Sequence, residues 1–165
     1  KKKEEWLDSI ESEIDSYRLS ADTGNSVLDA VIEDKMLNIR KYNIEFTYVV
    51  NGRLLEFMHV TDICSIFGNG LDNAIEAEIL EQDEDKRIIH LTVAAKRKMV
   101  CITMANYISH PEKISSDRLE TTKSNADYHG YGIKSIRYCA DKYHGNLTVG
   151  TNGNWFVLNI IIPQR

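Results

Sequence analysis

The chain has 165 residues, 42% of them hydrophobic and 27% charged, with a net charge of −5, as expected of one soluble globular domain with a proper core. The negative balance argues against a non-specific nucleic-acid binder, no apolar run approaches the roughly 20 residues of a membrane span, and no stretch reads as a signal peptide. Cys64, Cys101 and Cys139 are odd in number, far apart and without metal-ligand spacing, so three reduced, mostly buried thiols are expected.

Lys3 to about Leu19 reads as a helix whose apolar seam, Trp6, Ile10, Ile14 and Tyr17, has the narrow width of a helix packed on one neighbour. Ala21 to Asn25 is a turn-rich junction. Asn25 or Ser26 can cap a second helix, carried by Val27, Leu28, Val31, Ile32, Met36 and Ile39 to about Tyr42. Ile44, Phe46, Tyr48 and Val50 alternate and run into Asn51-Gly52, which predicts a hairpin with Leu54 to Met58 as its return strand.

The next stretch, Phe67-Gly-Asn-Gly-Leu-Asp-Asn-Ala-Ile-Glu-Ala77, organises the chain. Thr61 or Asp62 can cap its helix. Ile63, Ile66, Phe67, Gly70, Leu71, Ala74 and Ile75 make one apolar stripe at helical spacing, and the pattern runs to Ile79 and Leu80. Asn69 and Asn73, four residues apart, stack on one flank with Glu76. Gly68 and Gly70 each cost a helix interior up to about 1 kcal/mol relative to Ala, which is consistent with something approaching the backbone there. A buried helix edged by solvated amides accounts for the stretch. So does an Asn73 carbonyl oxygen offered to a hard cation such as magnesium, which keeps several waters and takes few protein oxygens.

Glu81 to Lys86 is a charged connection, and Ile88 to Ala95 and Met99 to Asn106 are strands joined by the tight turn Lys96-Arg-Lys98. Tyr107 to Tyr128 has little apolar content and no periodicity, the character of a functional loop. It ends in Thr121-Thr-Lys123 and His129-Gly-Tyr-Gly-Ile133. A helix is expected after Gly132, over Ile133, Ile136, Cys139 and Ala140 to about Tyr143, with Gly145 as a left-handed cap. Leu147 to Val149, the turn Thr151-Asn-Gly-Asn154 and Trp155 to Ile162 close the chain as a hairpin. Backbone amides at the Gly130/Gly132 helix start favour an anion, and absent β-carbons let phosphate come close, although Gly-x-Gly serves a plain turn equally well. Antiparallel strand pairs with helices between them predict an α+β, two-layer sandwich: a mixed, mostly antiparallel sheet with helices on one face.

An Asn pair on a helix, a strand ending in an amide, a Thr-Thr-Lys loop and a Gly-x-Gly helix start occur in that order. With these features the chain resembles the GHKL (Bergerat-fold) ATP-binding domains of gyrase, heat-shock chaperones, histidine kinases and mismatch-repair ATPases. Leu71-Asp-Asn-Ala-Ile-Glu-Ala77 resembles the asparagine box, and Thr121-Thr-Lys123 with His129-Gly-Tyr-Gly-Ile133 resembles the lid end and glycine box. Thr23-Gly-Asn25, Leu28-Asp29 and Lys35 add a resemblance to peptide-pheromone-sensing histidine kinases of the accessory-gene-regulator type.

The resemblance implies that Asn73 holds magnesium. It places Asn106 where most members use an Asp to accept the adenine amino group; the glycines usual after that Asp are replaced by Tyr107-Ile-Ser-His110. Asn69 stands where ATP-hydrolysing members carry a water-activating Glu, which favours a kinase over an ATPase. With Asn73 and Asn106, the residues Asn69, Thr122, Lys123, His129, Gly130, Gly132 and Ile133 are implied to hold the nucleotide, and Asn69, Asn73 and Lys123 to serve the catalytic step, while Glu76 replaces a basic residue common near the phosphates. By the same resemblance, residues 1–22 are the end of a dimerisation and phosphoacceptor hairpin, and 23–165 the catalytic domain with a lid at 107–128. No histidine here has an acceptor-like setting, so the acceptor is expected upstream. The implied ligands are ATP and Mg2+. The implied partners are the protein's own hairpin, a response regulator and, in the full protein, a second copy, on the cytoplasmic side of a bacterial membrane sensor; neither nucleic acid nor membrane contact is expected of this fragment. A serine kinase or slow ATPase of the same superfamily, and a docking module that has lost its nucleotide, remain open.

Overall fold

The computed structural model describes residues 5, 7–10, 21–114 and 130–164. Residues 5 and 7–10 are helical; Trp6, Ile14 and Tyr17 of the expected seam and residues 115–129 of the expected lid lie outside the described residues.

Helix α1 (Ser26–Lys41) begins where a capping side chain is available: Asn25 Oδ1 accepts the Leu28 N–H at 3.0 Å. Asp29 in its first turn accepts from the Thr23 N–H at 2.8 Å and the Thr23 hydroxyl at 2.6 Å, fastening the incoming chain to the helix. Strand β1 (Glu45–Val50) follows, but no hairpin. Gly52–Leu55 is a 3-10 turn, and β1 pairs in parallel with β2 (Ile88–Lys96), Glu45 beside Ile88 and Val50 beside Val93. Tertiary contacts override the local Asn-Gly signal: the Asn51 N–H goes to Val93 O at 3.0 Å and the Gly52 N–H to Thr23 O at 2.7 Å. A β-carbon on Gly52 would stand 2.6 Å from Thr23 O, so this glycine permits a close approach rather than a hairpin turn. Leu55 and Met58 drop into the core instead of alternating along a strand.

Helix α2 (Val60–Ile79) is capped by His59, whose Nδ1 accepts the Thr61 N–H at 3.2 Å, rather than by Thr61 or Asp62. Asp62 is engaged inward, where it accepts from the Tyr143 hydroxyl at 2.6 Å and Lys142 Nζ at 2.9 Å. Strand β3 (Met99–Tyr107) returns antiparallel to β2 through a tight turn with positive φ at Arg97 (50°) and Lys98 (61°). Helix α3 (Gly130–Lys142) starts at Gly130, ahead of the expected point after Gly132. At its end His144, not Gly145, takes the left-handed conformation (φ 58°). Gly145 is instead needed for contact, since a β-carbon there would lie 2.9 Å from Ile162 Cγ1 and 3.0 Å from Ile161 O. Strands β4 (Asn146–Asn152) and β5 (Trp155–Pro163) form the closing hairpin.

Among the described residues five strands run in the order β1-β2-β3-β5-β4, with β1 and β2 parallel and the other neighbours antiparallel, giving the expected mixed, mostly antiparallel sheet. Ile89, Leu91 and Val93, then Val100, Ile102 and Met104, then Leu158, Ile160 and Ile162 alternate inward to form the floor of the core. α2 packs on β2 and β3, and α1 and α3 both pack on α2, completing a two-layer α+β sandwich. Of the three free thiols Cys139 is buried, Cys101 partly so, and Cys64 exposed on the outer flank of α2, against the expectation that most would be buried. Among the described residues no helix is long and apolar enough to cross a membrane.

Candidate functional site

Helix α2 carries the candidate residues Asn69 and Asn73, and its two faces differ. One face is buried along Ile63, Ile66, Phe67, Gly70, Leu71, Ala74 and Ile75, as the stripe predicts. The flank bearing Asn69 and Asn73 is half-buried, and Glu76 is exposed. The Asn69 amide donates to Ser65 O at 2.7 Å, one turn back, and its Oδ1 would lie 3.5 Å from a β-carbon placed on Gly132. Asn69 and Gly132, 63 positions apart, are therefore in contact reach where α3 begins beside α2. A carboxamide takes no proton at neutral pH, so Asn69 orients and hydrogen-bonds but does not act as a general base.

Asn73 makes no side-chain hydrogen bond among the described residues. It therefore holds a half-buried oxygen donor on a rigid helix. One residue earlier, Asp72 accepts an ion pair from Lys35 of α1 at 2.8 Å. Burial disfavours the Lys35 ammonium, but Asp72 and Asp34 outweigh it and its pKa is raised. Gly70 has no room to spare: a β-carbon there would stand 2.4 Å from Met104 Sδ and Cε, so what approaches the helix at this glycine is the protein's own core. At Gly68 nothing lies within 4 Å, and that position is open.

At the far end of α2 the sequence reading missed Glu78. It continues the apolar stripe from Ala74, it is fully buried, and it binds both neighbours in the sheet: Oε2 accepts the Ile88 N–H at 3.1 Å and Oε1 accepts Asn106 Nδ2 at 3.0 Å. Burial pushes its carboxyl up to about 7, against the downward pull of those two hydrogen bonds. An acid at a stripe position was the available signal, since carboxylates are almost never fully buried without partners. Asn106, the expected base-recognising residue, ends the inward row of β3 and is 2% exposed, so it forms a floor rather than a rim. Just beyond it, Ser109 donates to Glu81 at 2.6 Å, and a cleft of about 590 Å³ opens between Leu80, Glu81, Lys86, Ser109 and His110.

Among the expected nucleotide-binding residues, Gly130 and Gly132 form the first turn of α3, where amides have no intrahelical acceptor, and Ile133 is half-buried against the core. Thr122, Lys123 and His129 lie outside the described residues. No group of three or more His, Cys, Asp or Glu side chains among the described residues is arranged to hold a metal. A magnesium ion here would rest on the Asn73 oxygen together with phosphate and water, a donor set that suits it.

A family model described as a GHKL domain matches residues 58–163, more than half of the chain. No curated protein sequence matches. The nucleotide-free catalytic domain of histidine kinase ThkA superposes with a TM-score of 0.65 at 21% identity, covering 87% of this chain and 93% of that one. Histidine kinase AdeS of Acinetobacter baumannii gives 0.60 at 11% identity, covering 85% and 64%. The mycobacterial sensor histidine kinase MprB gives 0.56 at 15%, covering 84% and 94%. At such identities the likeness speaks for the fold.

Proposed function

The chain belongs to the GHKL domain family, and from that premise we propose that it is the ATP-binding catalytic domain of a two-component sensor histidine kinase, of the peptide-pheromone-sensing type. The observation that carries the reading is the half-buried Asn73 oxygen, without a hydrogen-bond partner among the described residues, on the same flank of α2 as Asn69, whose amide oxygen lies 3.5 Å from where a β-carbon on Gly132 would stand. Neighbouring elements that offer a carboxamide oxygen and a helix N-terminus, groups suited to a cation and to phosphate, support the reading.

In this reading ATP lies between α2 and the lid. Asn106 takes the base, Asn73 holds magnesium, and Gly130, Gly132, Thr122, Lys123 and His129 hold the phosphates. Bound there, magnesium neutralises phosphate charge. The chain's own residues position and shield: Asn69 stays hydrogen-bonded to Ser65 and activates no water, so the γ-phosphoryl is reserved for a protein acceptor. Transfer breaks the bond from γ-phosphorus to the β,γ-bridging oxygen, releases ADP and forms a phosphorus–nitrogen bond on a histidine ring that gives up its proton. The rate of such a step rests on alignment and charge neutralisation. The acceptor histidine belongs to a helical hairpin upstream, of which residues 1–22 are the end, and 23–165 form the catalytic unit. That hairpin makes the homodimer, a response regulator receives the phosphoryl group next, and the whole sits on the cytoplasmic side of a membrane sensor.

Calorimetric titration with a non-hydrolysable ATP analogue, with and without magnesium, tests this. One-to-one, magnesium-dependent binding that Asn73→Ala abolishes is expected. Phosphorylation of an added histidine hairpin without release of free phosphate then separates a histidine kinase from a serine kinase or slow ATPase. The docking-module reading draws on one observation, the engagement of the Asn106 amide by buried Glu78. Absence of binding at millimolar analogue would favour it.

A further inference from the structure

We propose that Glu78 is a positioning residue that fixes which side of the Asn106 carboxamide faces the nucleotide base, and that it thereby selects a 6-amino purine over a 6-oxo purine. The inference rests on the nucleotide-binding reading above and assigns its base specificity to a residue that would not itself touch the ligand.

The argument is one of donors and acceptors. The Ile88 backbone N–H can only donate, so Glu78 Oε2, 3.1 Å away, is committed as its acceptor. The other carboxylate oxygen, Oε1, also only accepts while the group is ionised. At 3.0 Å it therefore takes the nitrogen end of the Asn106 carboxamide, whose same NH2 also reaches Tyr107 O at 3.4 Å. With its nitrogen held by Glu78 and the strand, Asn106 keeps its oxygen for whatever lies beyond. An asparagine unpinned at both ends turns over to suit either partner; this one offers an acceptor. Adenine presents a donor, its 6-amino group. Guanine and hypoxanthine present a 6-oxygen, which would meet the Asn106 oxygen as two unpaired acceptors on a buried floor, where an unmade hydrogen bond costs most.

Glu78 carries this control because its environment is closed and sparsely charged. It is fully buried on the inner face of α2. Among the described residues, the charges that act on it most are those of Glu81, which opposes its charge, and Arg87, which favours it. Burial brings its titration to about 7. Below that, a proton on Oε1 turns the group into a donor, the favoured partner becomes the Asn106 oxygen, and the carboxamide reverses. Glu78→Gln makes the same reversal permanent: Gln Oε1 must keep the Ile88 N–H, its NH2 then faces Asn106 and demands the oxygen, and the Asn106 nitrogen is left for the base.

The test measures affinities of the whole chain for a non-hydrolysable ATP analogue and for its hypoxanthine counterpart, at pH 8, in the parent and in Glu78→Gln. The expected result is weaker adenine binding and stronger hypoxanthine binding in the variant, changing the ratio by at least about tenfold. A structural role alone would weaken both equally, and an unchanged ratio overturns the proposal while leaving the nucleotide reading intact. If the parent binds neither nucleotide, both fall. Should Glu78→Gln fail to fold, the parent's ratio is followed from pH 8 to pH 6, below the range in which the hypoxanthine ring itself loses a proton. It is expected to shift toward hypoxanthine as the pH falls through about 7; phosphate titration is common to both ligands and cancels, so a flat ratio overturns the proposal.

Discussion

Lys35 on α1 and Asp72 on α2 meet at 2.8 Å, one residue before Asn73. The pair ties the outer helix to the helix that bears the candidate cation ligand. The Asp72 side chain is 51% exposed, however, and the ammonium is shared with Asp34 at 3.3 Å, so solvent screens it. Lys35→Met is therefore expected to lower stability by no more than about 1 kcal/mol, with the difference shrinking in molar salt. Urea denaturation at low and high salt checks this. Because the folded pKa of Lys35 is raised, the contribution is complete below the ordinary lysine value and is lost only as pH rises through the folded one.

A second tie, Asp62 with Tyr143 and Lys142, joins the start of α2 to the end of α3. The Tyr143 hydroxyl donates to Asp62 at 2.6 Å and accepts the His59 N–H at 2.9 Å. Lys142 Nζ and Cys139 Sγ complete the set around Asp62 at 2.9 and 3.4 Å. The Tyr143 hydrogen bond lowers the Asp62 pKa despite burial, and Lys142 and Cys139 assist. Tyr143→Phe strands two partners and is expected to cost about 1–3 kcal/mol at neutral pH. A depressed carboxylate pKa stabilises above the unfolded value, here 3.8, and the benefit disappears as pH falls through the folded value. The gap between parent and variant should therefore narrow at pH 3 relative to pH 7 in matched thermal melts.

Glu78 has the opposite sign. Its folded carboxyl titrates at about 7 against 4.5 when exposed. Between those values the folded chain holds a proton that the unfolded chain has released, so stability falls as pH rises across the window. Thermal melts should show the parent losing stability from pH 5.5 to pH 8, and Glu78→Gln, which cannot ionise, losing less.

The elements set by local chemistry could be read from the sequence: the Asn25 cap, the β2–β3 and β4–β5 hairpins, and the stripe of α2. What could not be read was decided by distant partners. Asp62 looks like a helix cap until Tyr143 and Lys142, some 80 positions away, claim its oxygens, and His59 caps in its place. Asn51-Gly52 looks like a hairpin until Val93 and Thr23 take its amides. In the site, the approach of Asn69 to Gly132 is set by how α3 packs on α2, which no local pattern states. The Glu78–Asn106 bond joins residues 28 positions apart through two elements whose register only the folded sheet supplies. Gly70 in the sequence suggests something approaching the helix backbone; what approaches is Met104 of the protein's own core.

That contact carries the last prediction. A methyl group on Gly70 would meet Met104 Sδ and Cε at 2.4 Å, far inside van der Waals contact. Both atoms belong to the end of a flexible side chain, but Met104 is itself 2% exposed, so little room exists for it to turn away. Gly70→Ala should gain up to about 1 kcal/mol of helix propensity and lose about 1–3 kcal/mol to overpacking, a net destabilisation. Met104→Val removes both offending atoms at the cost of some buried surface. In the double variant the clash is gone and the helix gain remains, so it should be more stable than the sum of the single changes predicts, by about 1 kcal/mol or more. Urea denaturation of the four proteins closes the cycle. Simple additivity would mean that Met104 turns aside without cost, and that Gly70 is not required for the packing of α2 on β3.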